Sequence, residues 1–300
     1  MRVVKLHSAE IDIDEPLVRR LLGTQAPAWA QLPLRLVEPA GTDNVMVRLG
    51  EELVVRLPRT ETAAAGLDKE QQVVPRLAPG LPTAVPVPVM VGTPQHSYPW
   101  RWSISRWLPG RSPAPGSGDA RLAAQLADFV VALRGIDTFG LTPAGPLHSY
   151  RCDPLALRDA DTRECIGQCR DLLDTSRVTA AWDRCVEVAE FAGRPGWMHG
   201  DLQPGNVLVD LSGLTAVLDW GMLALGDPAV DCLPAWTLLE PAARSTYRSR
   251  ADVDHATWAR GRGWALSIAL VALPYYVHTD SRMTAWARYA IEQAVDDALL

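Results

Sequence analysis

Near the middle of the 300-residue chain, His199-Gly200-Asp201-Leu202-Gln203-Pro204-Gly205-Asn206 places a carboxylate and an amide on one short polar loop. Gly200, Pro204 and Gly205 favour turn conformations there. Val207–Val209 then reads as a strand, Asp210–Gly213 as a turn, and Leu214–Leu218 as a returning strand that ends in Asp219. The hairpin brings Asp219 back beside the loop that holds Asp201 and Asn206. Two carboxylates and an amide oxygen in one small space are the parts that phosphoryl transfer asks of a protein. One group must orient an incoming hydroxyl and accept its proton, and hard oxygen ligands must hold Mg2+ on the phosphates. On this reading Asp201 is the catalytic base, and Asn206 and Asp219 are the metal ligands. Asn206 is one of only two asparagines in the chain. Ordinary turn chemistry explains the glycines and the proline, but not the return of an aspartate at the hairpin's end.

The elements that must carry this stretch differ in the two halves of the chain. Before residue 107 the pattern is strand-rich. Pro33–Val37, Asn44–Leu49, Glu52–Leu57 and Trp100–Trp107 read as extended, with a turn-rich Gly41-Thr42-Asp43-Asn44 and a hairpin turn at Gly50-Glu51. Glu61–Leu77 has helix-forming composition and stops before Pro79-Gly80. Pro82–Val91, with prolines at 82, 86 and 88, reads as a connector or edge strand, because proline cannot donate to a central ladder. Leu108–Gly118 is rich in Pro, Gly and Ser and reads as a boundary. Beyond it Asp119 caps a helix with Leu122, Leu126, Phe129, Val130 and Leu133 at helical spacing. Asp159–Leu173, Ala180–Phe191, Asp254–Val277 and Thr284–Leu299 are expected to be helices as well.

The catalytic stretch closely resembles that of the aminoglycoside phosphotransferase family, kinase-like enzymes that include macrolide and related antibiotic kinases. His199–Asn206 resembles the family's catalytic loop, and Leu218-Asp219-Trp220-Gly221 resembles the metal-binding segment that corresponds to Asp-Phe-Gly of protein kinases. Gly226-Asp227-Pro228-Ala229-Val230-Asp231 is similar to the Gly-Asp-Pro turn that follows it. Trp107-Leu108-Pro109-Gly110 is similar to the segment where the family passes between lobes and contacts the nucleotide base. The resemblance runs from about residue 35 to about 240, on motifs that are specific in combination. It implies a two-lobed, protein-kinase-like α+β fold. An N-terminal β-sheet lobe (1–107) would bind nucleotide, a hinge or linker would cover 108–118, and a C-terminal helical lobe (119–300) would hold the catalytic loop and acceptor site. It also implies ATP or GTP as phosphate donor, Mg2+ as cofactor, and a small hydroxyl-bearing acceptor, by default an aminoglycoside and next a macrolide or basic peptide antibiotic.

The resemblance places three further residues. Val54-Val55-Arg56 stands where kinase-like folds carry Val-Ala-Ile-Lys, so Arg56 would hold the phosphates, which arginine can grip bidentately. Glu70, on the following helix, would orient Arg56, with Glu61 as the alternative, and Trp107 would lie at the nucleotide. There are departures: Gln203 stands where histidine is common, Trp220 replaces the kinase phenylalanine, and no GxGxxG loop is present. Metabolic kinases of the choline, homoserine or sugar-alcohol type share the loop. A catalytically silent nucleotide-binding module of the same fold would normally have lost the base or a metal ligand, and here only Arg56 favours it.

Composition narrows the partners. A net charge of −6 argues against nucleic acid, which is usually met by a basic face. The longest apolar run, Trp264–Tyr276, is broken by Ser267 and Pro274, falls short of the roughly 18 residues of a membrane span, and reads as a buried C-terminal helix. Met1–Ser8 lacks the apolar core of a signal peptide. A cytoplasmic protein with no membrane partner is therefore expected; no sequence feature specifies an oligomeric state. The five cysteines form no CxxC or Cys/His cluster. Asp153, Asp159, Asp161, Glu164, Asp171 and Asp174, with Asp296 and Asp297, could line a pocket for a cationic acceptor. The interspersed Arg151, Arg158, Arg163 and Arg170 point instead to a solvated, charge-balanced helix face. Of Trp182, Trp236, Trp258, Trp264 and Trp286, one or two could wall an apolar pocket, with the rest in the core.

Overall fold

The computed structural model describes residues 10–37 and 43–297, which divide into two compact units. The first comprises 10–37, 43–79 and 84–109, and the second 80–83 and 110–297. Met1–Ser8, and Gly41 and Thr42 of the turn-rich segment, lie outside the described residues.

The first unit is built on an antiparallel sheet of β1 (Leu34–Leu36), β2 (Asn44–Leu49), β3 (Leu53–Pro58), β4 (Pro88–Gly92) and β5 (Trp102–Arg106), in the order β1-β2-β3-β5-β4. The proline-rich β4 lies at the edge, where a missing donor leaves no ladder bond unmade. Strand alternation divides the residues of the central strands between two faces. Val45, Val47, Leu49, Leu53, Val55, Leu57, Trp102 and Ile104 join the apolar cluster with Leu17, Val18, Leu21 and Leu22 of α1 (Glu15–Gln25). Met46, Arg48, Val54, Arg56, Ser103 and Ser105 alternate with them, and Arg56 stands opposite Met46 on one side and Ser103 on the other. Helix α1 carries none of the sequence expectations above; it begins at Asp14, whose carboxylate accepts the Leu17 N–H at 2.8 Å. Helix α2 (Glu61–Leu77) buries Ala64, Leu67, Glu70, Val73, Val74 and Leu77. A carboxylate thus occupies one position of an otherwise apolar stripe.

The second unit is mostly helical: α3 (Ala120–Gly135), α4 (Asp159–Gln168), α5 (Thr175–Val186), α6 (Pro234–Thr237), α7 (Arg244–Arg250), α8 (His255–Tyr276) and α9 (Ser281–Asp296). Helix α8 is apolar around its circumference and runs through the core, as its composition requires. Its two buried arginines are answered internally. Arg260 donates to Asp227 Oδ2 at 2.7 Å, and Arg262 donates to the Ala294 and Val295 carbonyls, a cation on the negative end of α9. Trp182, Trp236, Trp258, Trp264 and Trp286 are all buried, so these five rings are core and none is available to wall an open pocket. The Pro-, Gly- and Ser-rich segment after residue 109 is held to this unit by backbone bonds. Arg111 exchanges both bonds with Val209 at 2.9 Å, and Gly118 donates to Leu238 at 3.0 Å. No helix among the described residues is long and apolar enough to cross a membrane.

Candidate active site

Two short antiparallel ribbons build the polar centre of the second unit. Strand β7 (Val207–Asp210) pairs with β8 (Gly213–Val217), the hairpin expected from the sequence. Strand β6 (Gly196–Met198) pairs with β9 (Ala224–Gly226), outside that hairpin. The loop 199–206 lies between β6 and β7, and the segment 218–223 between β8 and β9. Pairing of the inner strands and of the outer strands forces the two connections together. Two bonds tie them directly: Leu218 N–H donates to the Asn206 carbonyl at 2.8 Å, and His199 Nε2 bonds the Leu218 carbonyl at 2.9 Å.

His199 is fully buried and packs edge-on against Trp220 at 4.9 Å. With Nε2 donating to Leu218, its Nδ1 is the acceptor for the Asp201 N–H at 3.2 Å. Burial lowers its pKa and keeps the ring neutral, so both nitrogens brace the backbone. Gly200 has φ +82°, and a Cβ there would sit 2.9 Å from the Met222 carbonyl oxygen, so only glycine fits. The buried Asp231 carboxylate accepts the N–H groups of His199 (2.9 Å) and Gly200 (2.7 Å), closing the loop from behind. Burial raises this carboxyl to about 6.

The loop presents Asp201 with both carboxylate oxygens engaged. Oδ2 accepts from Gln203 Nε2 at 2.9 Å and from Asn206 Nδ2 at 2.7 Å, while Oδ1 accepts from Arg151 Nη1. Burial pushes the Asp201 pKa upward, but the charge and hydrogen bond of Arg151, with the Gln203 bond, outweigh it and hold the group below the ordinary carboxylate value. The sequence pattern puts Arg151 among the charges of a solvated face. It is instead buried, at 8% exposure, and bonded to the Gly200 carbonyl as well as to Asp201. It comes from a single 3-10 turn, Tyr150–Cys152, fifty residues earlier in the chain.

Asn206 uses its amide hydrogens on Asp201, through the backbone oxygen at 2.9 Å and Oδ2, and its own Oδ1 receives no hydrogen bond from the described residues. Asp219, exposed and next to Leu218, adopts φ +57°, a left-handed conformation uncommon for a residue with a Cβ. An amide oxygen and a carboxylate on adjoining connections form a hard-oxygen pair of the kind Mg2+ accepts from proteins, the rest of its octahedron being filled by water and phosphate. No group of three or more His, Cys, Asp or Glu able to hold a metal occurs among the described residues.

In the first unit, Arg56 on β3 meets Glu70 on α2 in a two-pronged ion pair, Nη2 to Oε1 at 2.9 Å and Nη1 to Oε2. The Asn44 amide, with its oxygen turned toward the guanidinium, accepts from Nε at 3.2 Å and Nη2 at 3.1 Å. Glu61, the alternative partner, is exposed at the start of α2. Trp107 donates its backbone N–H to Glu52 at 2.7 Å, and the Arg48 guanidinium stacks on its ring at 4.0 Å.

A model of the APH phosphotransferase enzyme family matches residues 35–264, across both the Arg56 strand and the Asp201–Asp219 centre. The chain belongs to that family. No curated protein matches its sequence. Among solved structures, it is similar to the GDP and kanamycin complex of an APH(2") enzyme, with 18% identity, 93% of this chain and 98% of that one covered, and a TM-score of 0.72. It is also similar to the ADP-bound aminoglycoside phosphotransferase APH(2")-Ib (16% identity, 95% and 97% covered, TM-score 0.62). A third is the apoenzyme of macrolide 2'-phosphotransferase MphH from Brachybacterium faecium (21% identity, 92% and 97% covered, TM-score 0.59). The kinase-like α+β fold expected from the sequence is the fold these structures share with this member of the family.

The acidic residues that the sequence offers for a cationic acceptor are largely engaged. Asp153 pairs with His148 at 2.8 Å, Asp161 with Arg158 at 2.7 Å, Asp159 and Asp183 with Arg163 at 2.9 and 2.7 Å, and Asp296 with Arg177 at 2.6 Å. Asp174 caps α5 and Asp297 accepts the Trp236 indole at 2.8 Å.

Proposed function

We propose that the protein catalyses nucleotide-dependent O-phosphorylation of a small hydroxyl compound. The observation that carries this is the hydrogen-bonded unit of Asp201 and Asn206, locked beside Asp219 by the nested ribbons. In this reading Asp201 orients the acceptor hydroxyl and takes its proton. The hydroxyl oxygen bonds to the γ-phosphorus as the bond to the bridging oxygen breaks, and the leaving oxygen departs on the nucleoside diphosphate. Asn206 Oδ1 and the Asp219 carboxylate would hold Mg2+, which supplies charge neutralisation on the phosphates when bound. Arg56, steadied by Glu70, grips phosphate oxygens, and Trp107 contacts the nucleotide, ATP or GTP. A depressed Asp201 pKa suits this chemistry, because a loose transition state needs the base for orientation more than for strength.

For the acceptor, an antibiotic remains the leading class, an aminoglycoside by default and a macrolide next. The acidic residues carry exposed ion pairs worth about 0–1 kcal/mol each, which a polycationic ligand can exchange for its own, whereas a macrolide-type acceptor needs an aromatic or apolar wall instead. Tyr150, packed on Trp264 at 6.2 Å and 43% exposed, offers an aromatic face of the kind such a molecule would use.

The test is nucleoside-diphosphate release with ATP and GTP, Mg2+, and a panel of aminoglycosides, macrolides, basic peptide antibiotics and metabolic alcohols. Acceptor-dependent release that disappears in Asp201→Ala is the expected result. Unchanged release in Asp201→Ala would sink the mechanism.

A further inference from the structure

We propose that Arg151 is a positioning residue for the transfer step, fixing Asp201 so that the acceptor hydroxyl has one place to bond, the open side of Oδ1. The inference rests on the role proposed above for Asp201.

A carboxylate offers about four lone-pair directions, two on each oxygen. On Asp201, among the described residues, Oδ2 is filled by Gln203 and Asn206, and Oδ1 holds Arg151 Nη1 alone. One acceptor direction remains, and it lies beside the guanidinium. A hydroxyl that donates there approaches next to a fixed positive charge. That charge stabilises the oxygen as it loses its proton, and it is held in place through Nη1 and Nε.

The holding contacts are independent of one another. Nη1 also bonds the Gly200 carbonyl, so one nitrogen spans the backbone and side chain of the catalytic loop. Nε donates to the Tyr150 hydroxyl at 3.1 Å. Ser149 Oγ accepts the Arg151 N–H at 3.3 Å and caps the turn. Cys152 lies against β9 at Gly226, where an added Cβ would fall 2.6 Å from its Cβ. A glycine in β9 therefore lets the turn come close enough for the arginine to reach Asp201. An arginine serving only to neutralise a buried carboxylate would need none of this second set of contacts.

The experiment measures Mg2+-dependent nucleoside-diphosphate release from ATP and GTP, first with water as acceptor and then with the panel compound of highest turnover. Arg151→Gln, Arg151→Lys, Arg151→Ala and Asp201→Ala are compared with the wild type. Arg151→Gln should lower kcat roughly a hundredfold while the nucleotide KM stays within about twofold, the split expected when a transition-state contact alone is lost. Arg151→Lys should keep more turnover than Arg151→Gln. Added guanidinium chloride should restore turnover to Arg151→Ala and do nothing for Asp201→Ala. Wild-type kcat in Arg151→Gln, with Asp201→Ala inactive, overturns the role of Arg151 and leaves that of Asp201 standing. A loss in Arg151→Gln matched by a fall in melting temperature, with no guanidinium rescue, also overturns it, since the arginine is then a fold contact. If Asp201→Ala itself keeps turnover, the reading of the site fails and the inference falls with it.

Discussion

Arg56 with Glu70 in the first unit and Arg151 with Asp201 in the second are arginine–carboxylate pairs arranged in opposite senses. In the first unit Arg56 is 14% exposed and Glu70 is 6% exposed. In the second, Arg151 is 9% exposed and Asp201 is 14% exposed. The more open member is the arginine in one case and the carboxylate in the other. The extra hydrogen bonds follow the same rule: Asn44 steadies the open Arg56, while Gln203 and Asn206 steady the open Asp201. One type of ion pair thus presents a fixed cation in one unit and a fixed anion in the other, with the more buried partner acting as support. A buried pair contributes little net stability by itself, which leaves orientation as its main service.

Removing the open anion has the largest expected effect. Asp201→Asn keeps the shape and should lower kcat roughly 10²–10⁴-fold, with nucleotide affinity unchanged by calorimetry. A third pair supplies the contrast, because Arg260 and Asp227 are both buried, at 6% and 8%, and neither is open to a ligand. Arg260→Met should cost about 3–5 kcal/mol in denaturant unfolding. It should leave kcat and KM per folded molecule unaltered. Next, Arg56→Ala should weaken nucleotide binding about 10- to 100-fold, and Glu70→Gln, which loses only the support, about three- to tenfold. Equal effects of these two would mean that Arg56 holds no phosphate. The smallest effect concerns pH. Burial raises Asp231 to about 6 from its ordinary 3.8, so the fold favours its protonated form. The stability tied to this group is complete below 3.8 and is lost as pH rises through about 6. Asp231→Asn should flatten that slope in thermal melts across this range.

Much of this was legible in the chain because it is local. The limits of α2 at Glu61 and Leu77, the Asp119 cap, the β7–β8 hairpin and the core position of α8 all follow from periodicity and caps within a few residues. The misreadings have equally physical causes. Ala180–Phe191 was expected as a helix, but α5 runs from Thr175 to Val186, because Asp174 is a cap that accepts the Arg177 N–H at 3.2 Å and not one more acid on a face. Likewise α4 stops at Gln168, short of the expected Leu173. Trp197 and Met198 do read as a short extended lead-in and form β6, but its partner β9 is three residues long, too short to show a period, and exists because it pairs with β6. In the site, the Asp201–Asn206 relation is five residues long and visible. Arg151 reaches Asp201 across fifty positions, from a turn with no periodic signal, and only the packing of Cys152 on Gly226 shows why it arrives there.

The left-handed backbone of Asp219 separates two pressures that usually act together on a residue. At φ +57° an aspartate is held in a conformation that glycine would adopt with less strain, and strain of this kind is worth on the order of 1–3 kcal/mol. A glycine would relieve that strain, but it would lose the bond by which Asp219 Oδ1 accepts the Gly221 N–H at 3.4 Å, and it could supply no carboxylate after β8. That one torsion angle places a strained residue, partly steadied by its own side chain, at the point where the proposed chemistry most needs an oxygen.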